Sequence, residues 1–395
     1  MTAGPLSGIR VIEFGNLIAA PYAGMLLADL GADVLKVEPP GGDLGRNFGP
    51  HIEGESVFFM AVNRGKRSIA LDPKHPDGRR WLRRLVESAD VILNNLRHGA
   101  MERMGLGETD VREINPGAVY AVVSAFGADG PYAERAGIDV VFQAESGMVA
   151  ITGREGDPPQ KTATTIGDYV AATNAALLIS SALVERARTG RGRRVDVSLR
   201  DGLLAVQSGW WALYFATENQ PPRTGTASPY LAPNQIFETA DGHMALAIVS
   251  DRHYQILCEV LGRPDLADRY PTNDARMQNR RDLVDELIPL FRQRTTEEWV
   301  TLLTEAGLPV GRLLDFAGVE RDPQIEHNQM IYEYRHPKAG SLRGVGSPLR
   351  IDTTPARAES PPPTLGQHGP EILAELGATP DEVERLVSDR ALLVS

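Results

Sequence analysis

The chain has 395 residues, 42% of them hydrophobic, with a formal charge of −11 at neutral pH and a single cysteine. That length buries a large core and divides into about two domains, which excludes a peptide-sized module. The acidic balance leaves no electrostatic footprint for nucleic acid, so a phosphate-bearing ligand has to be held by local positive charge, and one cysteine excludes both an intramolecular disulfide and a metal site of several thiolates.

Ile9–Phe14 reads as a short buried strand, Pro21–Leu30 has helical periodicity stopped by Gly31, and Ala32–Glu38 is a second strand. Strand, helix, strand over about 30 residues is a βαβ unit with a right-handed crossover and a ligand crevice beyond the strands' carboxyl ends. Phe14–Ala20 and Glu38–Gly45 line one edge of that crevice. Glu38 stands where an acid takes a ribose, but the first turn carries only Gly15 where a dinucleotide fingerprint needs three glycines, which argues against NAD.

The alternation continues with strands at Arg67–Leu71, Asp90–Leu96, Val119–Phe126 and Val195–Leu199. Helices lie at Pro76–Ser88, from Asp168 to Thr189-Gly190, and from Asp201. This order gives an α/β fold with a mostly parallel sheet and helices on both faces. Thr217–Leu231 reads as a linker, Asp241-Gly242 as a hairpin turn between Gln235–Thr239 and Met244–Val249, and Arg252–Leu261, Met277–Arg294 and Thr296–Ala306 as charged helices of a smaller α+β domain. Cys258 falls at a core position of the first of these helices rather than in a nucleophile's setting. From Gly307 the chain returns, closing with a proline-rich run and one helix in Pro361–Gly377. The expected division is 1–215, 216–330 and 331–395, and the long connections suggest segments that reach across a dimer. The start of the chain has no basic segment followed by an apolar one, and no apolar run of membrane-spanning length is evident, so a cytoplasmic protein is expected.

Four features could carry chemistry. Asn63–Ser68 gathers three cations around a glycine, a pattern that suits phosphate and equally describes a solvated basic turn. Asn94-Asn95-Leu96, with Arg103 and Met104 beyond, stands at a strand's carboxyl end, where it could meet an adenine or an amide; turn chemistry explains it too. Asp139 and Asp168 each sit at a helix start, and as a pair in one pocket they would push their pKa values apart; each alone is an ordinary cap or first-turn acid. The scattered histidines form no zinc spacing and no G-x-S-x-G elbow occurs, which leaves a carboxylate as the most economical nucleophile.

Taken together, VIEFGNLIAAPYAGMLLADLGADVLKVEPPGGD, NRGKRSIALDPK, NNLRHGAMERMGL, Gly167-Asp168 opening a helix, TGRGRRVDVSLRDGLL, QIFETADGHMALAI and TLGQHGPEILAELG resemble, collinearly over nearly the whole chain, the family III CoA-transferases, a group that also includes α-methylacyl-CoA racemases. The resemblance implies an interlocked homodimer, each chain with a Rossmann-like large domain built from both ends and a small domain in the middle. It implies that Asp168 is a nucleophile forming an acyl anhydride and then an aspartyl-CoA thioester, with Asp139 orienting groups beside it. It also implies CoA contacts at Asn16, Leu17, Ile18, Leu71, Lys74, Asn95, Leu96, Arg103 and Met104, and an acyl pocket at Phe48, Phe58 and Ile138. Coenzyme A enters as acyl-CoA substrate and product, with a carboxylic acid as acceptor, no permanently bound cofactor, no metal, and no nucleic-acid or membrane partner. Ile18 and Pro39 depart from the glutamine and arginine of the formyl branch, and Ser228–Pro233 replaces its glycine-rich loop. Ile138 replaces the proton-carrying histidine of the racemase branch, which disfavours racemase or epimerase chemistry; a non-catalytic acyl-CoA-binding member is the remaining alternative.

Overall fold

The computed structural model describes residues 4–394, which form two compact units. The first is built from residues up to Met148, from Lys161–Ala212 and from Pro323 onward; the second comprises Val149–Gln160 and Leu213–Asp322.

The first unit is organised on a sheet of β1 (Arg10–Phe14), β2 (Asp33–Glu38), β3 (Lys66–Leu71), β4 (Val91–Asn94), β5 (Val119–Ser124) and β6 (Arg194–Ser198), in the order β3-β2-β1-β4-β5-β6. These six strands are parallel throughout, and Leu392–Leu393 adds an antiparallel edge beside β3. Strand order therefore reverses between β1 and β4, where Phe14 pairs with Asn94 at the carboxyl ends. In open parallel sheets this reversal opens the ligand crevice.

Both faces of the sheet are covered, which is why the strands read as near-continuous apolar runs. Val11, Val34, Val91, Leu93 and Ala121 point into one core with α1 (Ala19–Asp29). Ile12, Leu35, Ile69, Ile92 and Tyr120 point into the other with α2 (Pro76–Glu87). On the first face lie also α3 (Asp139–Glu145), α4 (Ile166–Thr189) and α5 (Leu199–Val206). Alanines of α1 (Ala19, Ala20, Ala23) and of α4 (Ala171, Ala172, Ala175) are buried in this core, and their small side chains let the two helices approach closely.

α4 corrects one sequence expectation. Its 24 residues have the length and composition to cross a membrane, although no such run was read from the sequence. Its alanine face nevertheless packs on the sheet and on α1, as a core helix does, while Leu177 and Val184 on its other side are each 64% exposed. It ends at Gly190, whose positive φ of 69° is the left-handed stop expected of Thr189-Gly190.

The second unit has a three-stranded antiparallel sheet, with Val310–Arg312, His243–Ala247 and Asn234–Glu238 in that order. The helices Asp251–Val260, Arg280–Phe291 and Thr296–Glu305 share its core. Cys258 is buried there and burial pushes its thiol up to about 11, an inert setting. The single helix read at Met277–Arg294 is two, Asn273–Gln278 and Arg280–Phe291, because Thr272 caps an earlier start and the chain turns at Asn279. Residues 149–160, expected in the first domain, cluster with the second unit: Arg154 bridges Thr224, and Arg223 Nη1 donates to Asp157 O at 2.6 Å.

Candidate active site

β1 delivers the chain into a tight turn, Gly15–Ile18, that opens α1. Lys36, fully buried on β2, lies beneath it: Nζ donates to Gly15 O (2.9 Å) and Glu13 Oε1 (2.9 Å) and pairs with Asp43 Oδ2 (2.8 Å). Burial alone would lower this ammonium's pKa, but the Glu13, Asp43 and Glu38 carboxylates hold it above the usual lysine value. Asp43 Oδ1 in turn accepts from Leu17 N at 3.0 Å. Leu17 is held at φ +64°, a conformation that an ordinary side chain adopts only where the surroundings impose it.

Across the switch point, Asn95 Oδ1 accepts from Asn16 N (2.8 Å) and Asn95 Nδ2 donates to Asn16 O (2.9 Å). This reciprocal pair ties the loop after β4 to the turn after β1. Asn94, by contrast, is buried and donates to Ala121 O at 3.3 Å, so it belongs to the sheet.

Glu38 lies where the sequence placed a ribose-binding acid, but its oxygens are already engaged. They accept from Arg46 Nε (2.7 Å) and Nη2 (2.8 Å), Ser68 Oγ (2.6 Å) and Asp43 N (3.0 Å). Burial would raise its carboxyl; Arg46, Lys36 and Ser68 hold it below the usual range. The cations of the basic turn Asn63–Ser68 are likewise engaged, Arg64 and Lys66 buried and Arg67 partly exposed. Arg64 pairs with Asp29, Lys66 with Glu13, and Arg67 with Asp33, Glu371 and Glu375. These cations start β3, at the edge opposite the strands' carboxyl ends, so neither the phosphate reading nor the solvated-turn reading describes them.

Leu71, at the end of β3, is buried, and Lys74 just beyond it is exposed. After β4, Leu96 and Met104 pack against the core while Arg103 is exposed. With Asn16, Leu17, Ile18 and Asn95, all these residues follow the carboxyl ends of β1, β3 and β4, on one edge of the sheet. Phe48 and Phe58 meet edge to face with centroids 5.4 Å apart.

Asp168 reaches the same edge from the other side of the switch point. Tyr22 in the first turn of α1 and Tyr169 in that of α4 stack edge to face at 4.8 Å, so the two helix starts lie side by side. The N-cap of α4 is Thr165, and Asp168 is the third helical residue. No hydrogen bond within the described residues engages its carboxylate, so of the two readings its position suggested it is the first-turn acid and not the cap. Burial, and then the negative charge of Asp139, push this carboxyl up to about 7.

Asp139 opens α3 and is itself buried; Oδ1 accepts from Gly167 N at 2.8 Å and Oδ2 accepts from Gln143 Nε2. A Cβ on Gly167 would stand 2.9 Å from Asp139 Oδ1 and 3.2 Å from Leu203 Cδ1, which is why glycine precedes Asp168. Ile138, the N-cap of α3, is 62% exposed and offers no titratable group. Gln143 and Asp43 were not singled out from the sequence. Gln143 is one turn on from Asp139, the spacing that places two side chains on one helix face, and that is the signal that could have found it.

The arrangement is an unpaired, partly desolvated carboxylate beside a second acid, on the crevice edge of a parallel sheet. Against known proteins, residues 6–369 match the model of CoA-transferase family III. A succinyl-CoA–D-citramalate CoA-transferase from Chloroflexus aurantiacus is 36% identical over 98% of both chains. A succinate–glutarate CoA-transferase from Agrobacterium fabrum is 35% identical over 94% of this chain and 96% of its own. Among solved structures, a CAIB/BAIF family protein from Brucella suis superposes with a TM-score of 0.84 at 36% identity, over 95% of this chain and all of its own. With sequence and fold agreeing over nearly their full lengths, the chain belongs to CoA-transferase family III.

Proposed function

We propose that the protein moves CoA from an acyl-CoA to a free carboxylic acid through covalent intermediates on Asp168, and that its substrates are short dicarboxylic acids and their CoA esters. The observation that carries the first part is the state of Asp168: a half-buried carboxylate without an internal partner, raised to about 7, at the crevice edge. A structural acid would be bonded to a helix N–H or a cation; a nucleophile needs its lone pairs free and poorly solvated. The second part is drawn from relatives named for transfer between succinyl-CoA and glutarate, D-citramalate or mesaconate.

The ionised Asp168 attacks the thioester carbonyl, the C–S bond breaks, and CoA leaves as thiolate with a mixed anhydride on the enzyme. The thiolate attacks the aspartyl carbonyl, releasing the donor acid and leaving an aspartyl-CoA thioester. The acceptor carboxylate attacks that thioester, and the thiolate it displaces takes the new acyl group and frees Asp168. No step needs a resident cofactor. The protein works in this reading as a homodimer, which would cover the exposed Leu177, Val184, Leu204 and Val206 of α4 and α5.

The test is incubation with succinyl-CoA, trapping with hydroxylamine and mass mapping. Modification at Asp168 is expected. A range of short dicarboxyl-CoA esters that supports transfer to an acceptor but never marks Asp168 would refute the covalent route.

A further inference from the structure

We propose that Gln143 is a positioning residue for CoA transfer, fixing Asp139 and the Thr162–Gly167 segment and, through them, the placement of Asp168. The inference rests on the reading of Asp168 as nucleophile. Gln143 has no exposed surface, and its side chain is fully engaged. Nε2 donates to Asp139 Oδ2 and, at 3.4 Å, to Thr164 O; Oε1 accepts from Thr162 N (2.9 Å) and Thr162 Oγ1 (3.2 Å). Asp139 Oδ1 then holds Gly167 N, the amide immediately before the nucleophile. One amide side chain thus joins the start of α3 to the start of α4.

A buried glutamine whose donors and acceptors are all matched has one favoured orientation, so it transmits position rather than charge. Its effect on the reaction is electrostatic at one remove. The groups that face Asp168 are Asp139 from α3 and Tyr169 on its own turn, the latter stacked on Tyr22 of α1. Of these, Asp139 is the charge that raises the Asp168 carboxyl. Gln143 sets where that charge lies.

Two substitutions of similar size separate this role from simple packing. Gln143→Met removes the hydrogen bonds and lets Asp139 turn away. Asp168 acylation by succinyl-CoA is expected to slow about tenfold at pH 7.5, the cost of about one charge-assisted hydrogen bond. The dissociation constant for CoA should stay within about twofold, since each bond lost lies away from the CoA-contacting residues. The acid limb of the acylation rate should shift to lower pH. Gln143→Glu places a second carboxylate beside Asp139, and its acid limb should shift to higher pH. The ionisation of Asp168 itself is followed in both backgrounds by the infrared carboxyl band lost in Asp168→Asn. Opposite shifts in the two variants are the expected result. Equal shifts, or slowing that follows thermal stability with the ionisation midpoint unmoved, would overturn the proposal. If wild type is never labelled at Asp168, the covalent reading fails instead, and the infrared midpoints still decide the role of Gln143.

Discussion

Replacing Asp168 by asparagine should stabilise the protein, and should do so more as the pH rises. Burial and Asp139 lift the carboxyl from 3.8 to about 7, a difference of about three pH units, and each unit is about 1.4 kcal/mol of interaction lost by the charged form. The full cost of ionising Asp168 in the folded chain is therefore about 4 kcal/mol, which its partial exposure to solvent reduces to about 2 kcal/mol. Because the folded-state value is the higher one, the folded protein holds the proton more tightly than the unfolded chain does. Stability contributed by the neutral acid is thus intact below about pH 4, drains away between about pH 4 and pH 7, and is fully lost above that. Asparagine is neutral throughout. Urea unfolding of both proteins from pH 4.5 to pH 8.5 should show a gap that is small at the acid end and about 2 kcal/mol at the alkaline end, or about 4–8 °C in melting temperature for a unit of this size. A gap independent of pH, or a variant less stable at pH 8.5, would refute the argument that this carboxylate is held against its own solvation.

The same titration should govern turnover: the acylation rate should reach half its maximum near pH 7 and level off about one unit higher, and a limb near 4 would mean that the attacking Asp168 carboxylate is not held above its ordinary value. Asn95→Ala removes both bonds to the Asn16 backbone; at about 1 kcal/mol each, the KM for a CoA ester is expected to rise about tenfold or more, read by steady-state kinetics, with a modest fall in melting temperature. Lys36→Met leaves the buried Asp43 without a cation and Glu13 with Lys66 alone, and should cost about 3–5 kcal/mol in urea unfolding, part of it recovered in the double variant with Asp43→Asn.

What could be read in advance follows from the range over which each feature is encoded. The six parallel strands came from local apolar runs and turn residues, so Arg10–Phe14, Asp33–Glu38, Lys66–Leu71 and the others lie within a residue or two of the expected spans. The hairpin Ile331–His336 with Gly340–Val345 was missed because its residues alternate between partial and full exposure and show little apolar contrast. The helix Pro380–Ser388 was missed although Thr379 and Glu382 spell a capping box. At the site, Gly167-Asp168 was legible as a helix start, yet only the structure removes the cap reading, since that depends on which amides the carboxylate fails to meet. The one-turn spacing of Gln143 from Asp139 was a local signal, but its bonds to Thr162, like that of Asp43 to Leu17, join segments distant in sequence, and no local pattern announces those partners.

The filled Glu38 explains why a sheet with dinucleotide-type strand order need not bind a dinucleotide. A ribose diol needs an acid with free lone pairs at the end of β2, and a pyrophosphate needs glycines that let it approach the backbone of the first turn. Here Arg46, Ser68 and Asp43 engage the acid, and the first turn is drawn inward by Lys36, Asp43 and Asn95. Those interactions spend on rigidity what a dinucleotide site would present to its ligand. Opposite this fixed turn, at the head of α4, stands the carboxylate that none of these partners engages. The edge thus pairs a rigid wall with an acid left poorly solvated, and that division of labour suits attack on a bound thioester better than recognition of a nicotinamide cofactor.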